Sequence, residues 1–171
     1  VIDGISIEPE AAGDEDAIRR LTVSAFDGRT EEADLVEELR DSGDMLLSLV
    51  ARRDAEIVGH VAFSRVVVDD SEGPAGAVSL APVAVRPDLQ GREIGSRLIE
   101  QGIDVLRAQG EQVVLVVGHP AYYARFGFSR AEGERYPNAY SGPHFMALHL
   151  TATGSVPRGP VTYPDAFELV N

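Results

Sequence analysis

The sequence predicts a mixed α/β fold, a central and mostly antiparallel sheet flanked by helices with one parallel strand pair. Three observations carry that expectation. Two strand patterns, at 46–53 and 57–68, are joined by only Asp54, Ala55 and Glu56, which demands an antiparallel hairpin. A strand pattern at 77–86 is followed by a helix pattern from Ile94 to about Gln109 and then by the apolar run Val113–Val117. Such a strand–helix–strand run makes its two strands parallel neighbours with a right-handed crossover. The chain has 171 residues, 44% hydrophobic and 25% charged, which suits one globular domain with a full core.

The remaining elements follow in order. Ile5-Ser6-Ile7-Glu8-Pro9 alternates and stops at proline, as a first strand does. Acidic residues from Asp14 open a helix with Ile18, Leu21, Thr22 and Phe26 on one face and Gly28 as its stop. A second helix is expected over 30–40, with Thr30 as N-cap and Ala33, Leu35, Val36 and Leu39 turned inward. Residues 69–76, rich in Asp, Ser, Gly and Pro, read as an exposed loop. Val113–Val117 reads as a strand buried on both faces. Residues 122–128 read as a short helix with a turn, and 145–150 as a final strand. The expected organisation is a single domain over 1–171, with its core at about 4–150 and an irregular C-terminal extension at 151–171.

Composition excludes several chemistries. There is no cysteine, hence no disulfide, thiolate metal site or cysteine nucleophile. All 15 basic residues are arginine, which removes Schiff-base chemistry and the lysine-dependent phosphate loop. His60, His119, His144 and His149 are too scattered to read as a metal site. A net charge of −13 argues against nucleic acid or an anionic membrane as partner and favours a cationic substrate such as an amine. No apolar run approaches the length that spans a bilayer, and no signal-peptide pattern opens the chain, so a cytoplasmic location is expected.

The stretch around which the chain is organised runs from Val83-Ala84-Val85 through Arg86-Pro87 to Gln90-Gly91-Arg92-Glu93-Ile94-Gly95-Ser96. It joins a strand to a helix N-terminus through a glycine-bearing turn, a place where unpaired amides and the helix dipole converge on an anion. The segment resembles the Q-x-x-G-x-G/A signature of the GCN5-related N-acetyltransferase (GNAT) family and departs from it at Glu93, where that family has glycine. Tyr123-Ala124-Arg125-Phe126-Gly127-Phe128 resembles the same family's Y-x-x-x-G-F, and the wider phrase from Gly118 resembles a branch of predicted small bacterial acetyltransferases.

The resemblance implies the GNAT acyl-CoA acyltransferase fold over roughly 4–150, with the fourth and fifth strands splayed. It implies acetyl-CoA as cosubstrate. Amides of Gln90, Gly91, Arg92, Glu93, Ile94, Gly95 and Ser96 would hold its pyrophosphate, and the backbone of Val83, Ala84 and Val85 its pantetheine arm. Glu93 is expected to turn outward and leave its amide for the phosphate. Tyr123, rather than Tyr122, would protonate the departing thiolate. The implied reaction is direct acetyl transfer to an amine of a small molecule or peptide, and a homodimer is common in such a family. A coenzyme A-binding sensor without turnover, and an acyltransferase with a longer donor or a hydroxyl acceptor, are the alternatives. His60, Ser64, Ser79, Glu31, Glu32 and His144 are the candidates for a general base, and residues 130–142, with Tyr136 and Tyr140, for an acceptor wall.

Overall fold

The structure is a computed structural model that describes residues 4–151 and 155–171. In chain order it contains β1 (Ile5–Pro9), α1 (Glu15–Ala25), α2 (Glu31–Ser42), β2 (Met45–Arg53), β3 (Glu56–Asp70) and β4 (Gly73–Val85). There follow α3 (Ile94–Ala108), β5 (Val113–Val117), α4 (Pro120–Tyr123), α5 (Arg130–Gly133), β6 (Phe145–His149) and β7 (Val161–Thr162). The sheet order is β1-β2-β3-β4-β5-β6, with β7 paired to β3. β4 and β5 are parallel, and the pairs β1/β2, β2/β3, β3/β7 and β5/β6 are antiparallel. The predicted mixed sheet with one parallel pair is therefore present.

The chain divides into two compact units. The first comprises Val1–Ser64, Ala81–Gly102 and Asp165–Asn171. In it α1 and α2 cover one face of the sheet, where Ile18, Leu21 and Val36 pack with Val50, Ile57 and Ala84. Val50 pairs with His60, so alternation from His60 sends Gly59 and Phe63 to the opposite face, where α3 lies, and the irregularity between Ala51 and Arg52 takes Ile57 out of that alternation. A Cβ on Gly59 would stand 3.0 Å from both Ile94 and Leu98 side chains. One on Gly102 would stand 2.3 Å from the Phe63 ring. Two glycines, one on the strand and one on the helix, thus set how closely α3 approaches β3.

The second unit comprises Arg65–Leu80 and Ile103–Pro164. Its core gathers Val66, Val68, Ala77, Val113, Leu115, Tyr136, Phe145 and Ala147. β4 and β5 pair at Val78↔Val114 and Ser79↔Leu115, after which both strands run on.

Several expectations need correction. Residues 69–76 are not a loop: β3 continues to Asp70 and β4 starts at Gly73, leaving Ser71 and Glu72 as the turn. Asp70 holds it, since its carboxylate accepts the amides of Glu72 (3.1 Å) and Arg158 (2.9 Å). Polar composition reported exposure there, and exposure does not preclude a ladder. α2 runs to Ser42 and ends at left-handed Gly43. Thr30 precedes it without a side-chain cap, and Glu31, Glu32 and Asp34 favour the helix start instead. Val117, at the end of β5, is exposed. The tail is more ordered than irregular: it adds β7 and a 3₁₀ turn at Asp165–Val170 that packs on α2 with Ala166 and Phe167 buried. Residues 152–154 of the extension lie outside the described residues. Tyr136 is no wall residue. It is fully buried, and its hydroxyl donates to Pro157 O at 2.7 Å.

Gly102→Ala inverts the usual helix preference. Alanine normally stabilises a helix interior by about 1 kcal/mol over glycine, but here its methyl collides with Phe63, and a loss of about 1–3 kcal/mol is expected. Urea unfolding measures it, and a gain in stability would refute the close approach of α3.

Candidate functional site

The turn from β4 into α3 is built by local bonds. Arg86 N–H donates to Val58 O (2.9 Å), which keeps the strand paired to its last residue. Pro87–Leu89 then form one 3₁₀ turn, with Leu89 buried beneath it. Gln90 ties the turn back: its amide N–H donates to Pro87 O (3.4 Å) and its side chain to Val85 O (3.1 Å). Val83 and Val85 are half-buried, and Ala84 is in the core.

Beyond Gln90 the backbone turns twice into the left-handed region, at Gly91 (φ 76°) and Glu93 (φ 70°). Ahead of Gly91's Cα there is open space. Arg92 and Glu93 are exposed, Ile94 and Ser96 are buried, and Gly95 is half-buried. Arg97 N–H donates to Glu93 O (3.0 Å), the first bond of α3. The first-turn amides lie before that bond, where a helix supplies no acceptor of its own.

α1 and α2 carry acidic residues in their first turns, whereas α3 carries none. In a chain of net charge −13, the first turn of this helix adds no carboxylate to that of Glu93, which is exposed. The residues present therefore fit a pyrophosphate. The departure at Glu93 also gains a physical meaning, because the backbone there has the conformation that glycine adopts at no steric cost.

Tyr123 stands in the second unit. Pro120 opens α4, and Gly127 (φ 98°) ends the 3₁₀ turn that follows. The Tyr123 ring lies edge-on to Tyr122 (5.0 Å) and Phe128 (5.7 Å). It also covers Gly118, where a Cβ would stand 2.3 Å from it. Burial, with a smaller contribution from Tyr122, pushes its hydroxyl up to about 12. Arg125 caps the Tyr122 and Phe126 rings. Glycine at 118 is a steric requirement of the Tyr123 ring that its sequence position alone did not reveal.

The candidate bases separate by environment. His60 is fully buried on β3. Its Nε2 lies 2.8 Å from Ser48 Oγ, which donates in turn to Glu10 Oε1 (3.1 Å), itself paired with Arg40. The imidazole thus donates from Nε2, and burial pushes it down to about 4. A group so depressed takes no proton at neutral pH. Ser64 is buried without a hydrogen-bond partner, and Ser79 is bonded to Tyr163. Glu32 pairs with Arg29, and Glu31 is exposed. His144 is exposed, with Nδ1 3.2 Å from Gly118 O. Among the described residues no cluster of three or more metal-ligating side chains occurs, and no helix is long and apolar enough to cross a membrane.

Residues 15–128 match the acetyltransferase (GNAT) family. The chain is 38% identical over 159 residues to the uncharacterized N-acetyltransferase YjhQ of Escherichia coli K12, covering 88% of this chain and 87% of that protein. It is 36% identical over 168 residues to the uncharacterized N-acetyltransferase YhbS of the same strain, covering 95% and 96%. Among solved structures, a GNAT family acetyltransferase from Brucella melitensis in complex with acetyl-CoA superposes with a TM-score of 0.80 at 33% identity, covering 95% of this chain and 97% of that one. The Escherichia coli YhbS structure in complex with CoA superposes with a TM-score of 0.85 at 31% identity, covering 96% and 92%. Relatives of this kind give no support to a sensor without turnover.

Two stability experiments follow from these environments. Glu93→Gly is expected to stabilise the protein by about 0.5–1 kcal/mol, the left-handed cost less the added chain entropy. A loss in urea unfolding would contradict it. For His60 the folded pKa lies below the unfolded value, so the unfolded chain binds the extra proton. Its share of stability is intact above about pH 6.5 and falls away toward pH 4, by about 3 kcal/mol in all. His60→Gln is expected to flatten that part of the stability profile, whatever it does to stability at pH 7.

Proposed function

The chain belongs to the acetyltransferase (GNAT) family, and from that premise we propose that it transfers an acetyl group from acetyl-CoA directly to the amine of a small molecule or peptide. The observation that carries the reading is the turn after β4. There left-handed Gly91 and Glu93 deliver the chain into a helix whose first turn holds no carboxylate of its own.

In this reading the amides from Gly91 to Ser96 bind the pyrophosphate, with the helix dipole behind them. Gln90 holds the turn in shape through Val85 O and Pro87 O. The Glu93 carboxylate is exposed, which limits its repulsion of the phosphates. Val83 and Val85 offer strand-edge backbone groups to the pantetheine arm. Bound acetyl-CoA supplies an acyl carbon already activated as a thioester. With no cysteine in the chain, the amine attacks that carbon without an acyl-cysteine enzyme.

Tyr123 serves the leaving sulfur. A hydroxyl pushed up to about 12 stays protonated throughout the neutral range. It is a weaker acid than an unperturbed phenol, so its main contribution is a hydrogen bond that strengthens as charge develops on sulfur. The acceptor is an amine, and the chain's negative charge draws a cationic amine toward it.

Thiol release from acetyl-CoA in the presence of spermidine, benzylamine, alaninamide and a lysine-containing peptide tests the reading. Turnover with at least one of these amines is expected. Tyr123→Phe is expected to lower kcat by about 100-fold while leaving acetyl-CoA affinity, read by calorimetry, within about twofold. Binding of acetyl-CoA no tighter than millimolar, or an unchanged kcat in the variant, would overturn the respective assignment.

A further inference from the structure

One histidine is placed as a base is placed. β5 and β6 pair at Val117↔Phe145, and the ladder is extended by Gly118 N–H donating to His144 O at 2.9 Å. His144 thus sits opposite Gly118, at the exit of β5. Its ring turns back on the same glycine, Nδ1 lying 3.2 Å from Gly118 O. A carbonyl oxygen only accepts, so Nδ1 carries the hydrogen, and the neutral ring presents Nε2 as its acceptor. The side chain is exposed, so that nitrogen is open to a solute.

Gly118 is also the residue that Tyr123 covers, close enough that any Cβ there would stand 2.3 Å from the ring. One glycine therefore touches both side chains: its carbonyl orients the imidazole, and its bare Cα seats the phenol. His119 faces the His144 ring edge-on, with ring centroids 6.2 Å apart, and Tyr123 lies against the same Gly118. Val117, one residue earlier, is 49% exposed, an uncovered apolar side chain at the end of an otherwise buried strand. His60, by contrast, is fully buried, donates from Nε2 and is inaccessible.

We propose that His144 is the general base of the acetyl transfer, accepting a proton from the acceptor ammonium at Nε2 while Gly118 O holds the ring by Nδ1. The assignment rests on the acetyltransferase reading above. The ammonium loses two protons in the reaction. The first passes to Nε2 and then to solvent, which frees the nitrogen lone pair. That pair forms the new C–N bond as the C–S bond breaks and its electrons go to sulfur. The second proton leaves nitrogen and ends on the thiol, with the Tyr123 hydroxyl as hydrogen-bond donor to sulfur. No oxidant or further reactant enters the balance.

The test uses the full chain, acetyl-CoA and the same four amines, with native protein, His144→Gln and His144→Ala. The expected result is a fall in kcat/KM of about 100-fold in both variants, unchanged acetyl-CoA affinity by calorimetry, and loss of the acidic limb of the pH profile. Added imidazole is expected to restore part of the His144→Ala rate, which a merely structural histidine would not allow. Native turnover with an undiminished His144→Gln rate, or a pH profile that keeps its acidic limb, overturns the assignment and leaves the acetyltransferase reading intact. Absence of turnover by native protein with every amine overturns that reading, and the base falls with it.

Discussion

The placement of α3 on β3 is the constraint on which the first unit depends. Ile94 and Leu98 rest on Gly59, and Phe63 rests on Gly102, each contact possible only because the glycine has no Cβ. Ile94 is both the first residue of the helix and one of those contacts. The N-terminal end of the helix is therefore anchored directly to the sheet. Backbone amides have no side chains to correct a misplacement, so their precision comes from what the backbone lies on.

The arginines that carry ion pairs in the first unit tie its edges together: Arg52 reaches Glu8 and Asp14, and Arg40 reaches Glu10. Arg86 is held between Glu56 and Asp88 beside the turn. Carboxylates occupy the starts of α1 and α2, where they offset the helix dipoles. The start of α3 is the exception, and it is the one that follows the glycine turn. The more exposed of these pairs, Arg86 with Glu56 and Asp88, contribute little to stability individually.

The second unit shows the complementary device, a strand exit used as a mount. Gly118 follows the last residue of β5, pairs with His144 through the backbone, and lets the Tyr123 ring lie against it. A residue with a side chain at that point would displace the tyrosine. The same backbone carbonyl then selects the tautomer of a histidine that belongs to a different segment. A phenol and an imidazole are gathered here by a position that carries no functional group.

The sequence by itself determined the elements and their order. The alternation at 5–9, the hairpin about Asp54 and the strand–helix–strand run each reflect contacts between near neighbours, so local pattern was enough to predict the mixed sheet. The glycine turn and Tyr123 were legible for the same reason, since signature and structure occupy the same few residues. Other features required the tertiary structure. The hairpin at Ser71 and Glu72 depends on Asp70 meeting Arg158, and the burial of Tyr136 on Pro157. The left-handed backbone at Glu93 is imposed on a residue that does not favour it. His60 and His144 read alike as isolated histidines, yet one is a depressed, buried donor and the other an exposed acceptor. Solvation and hydrogen-bond direction separate them, and both are set by residues distant in the chain.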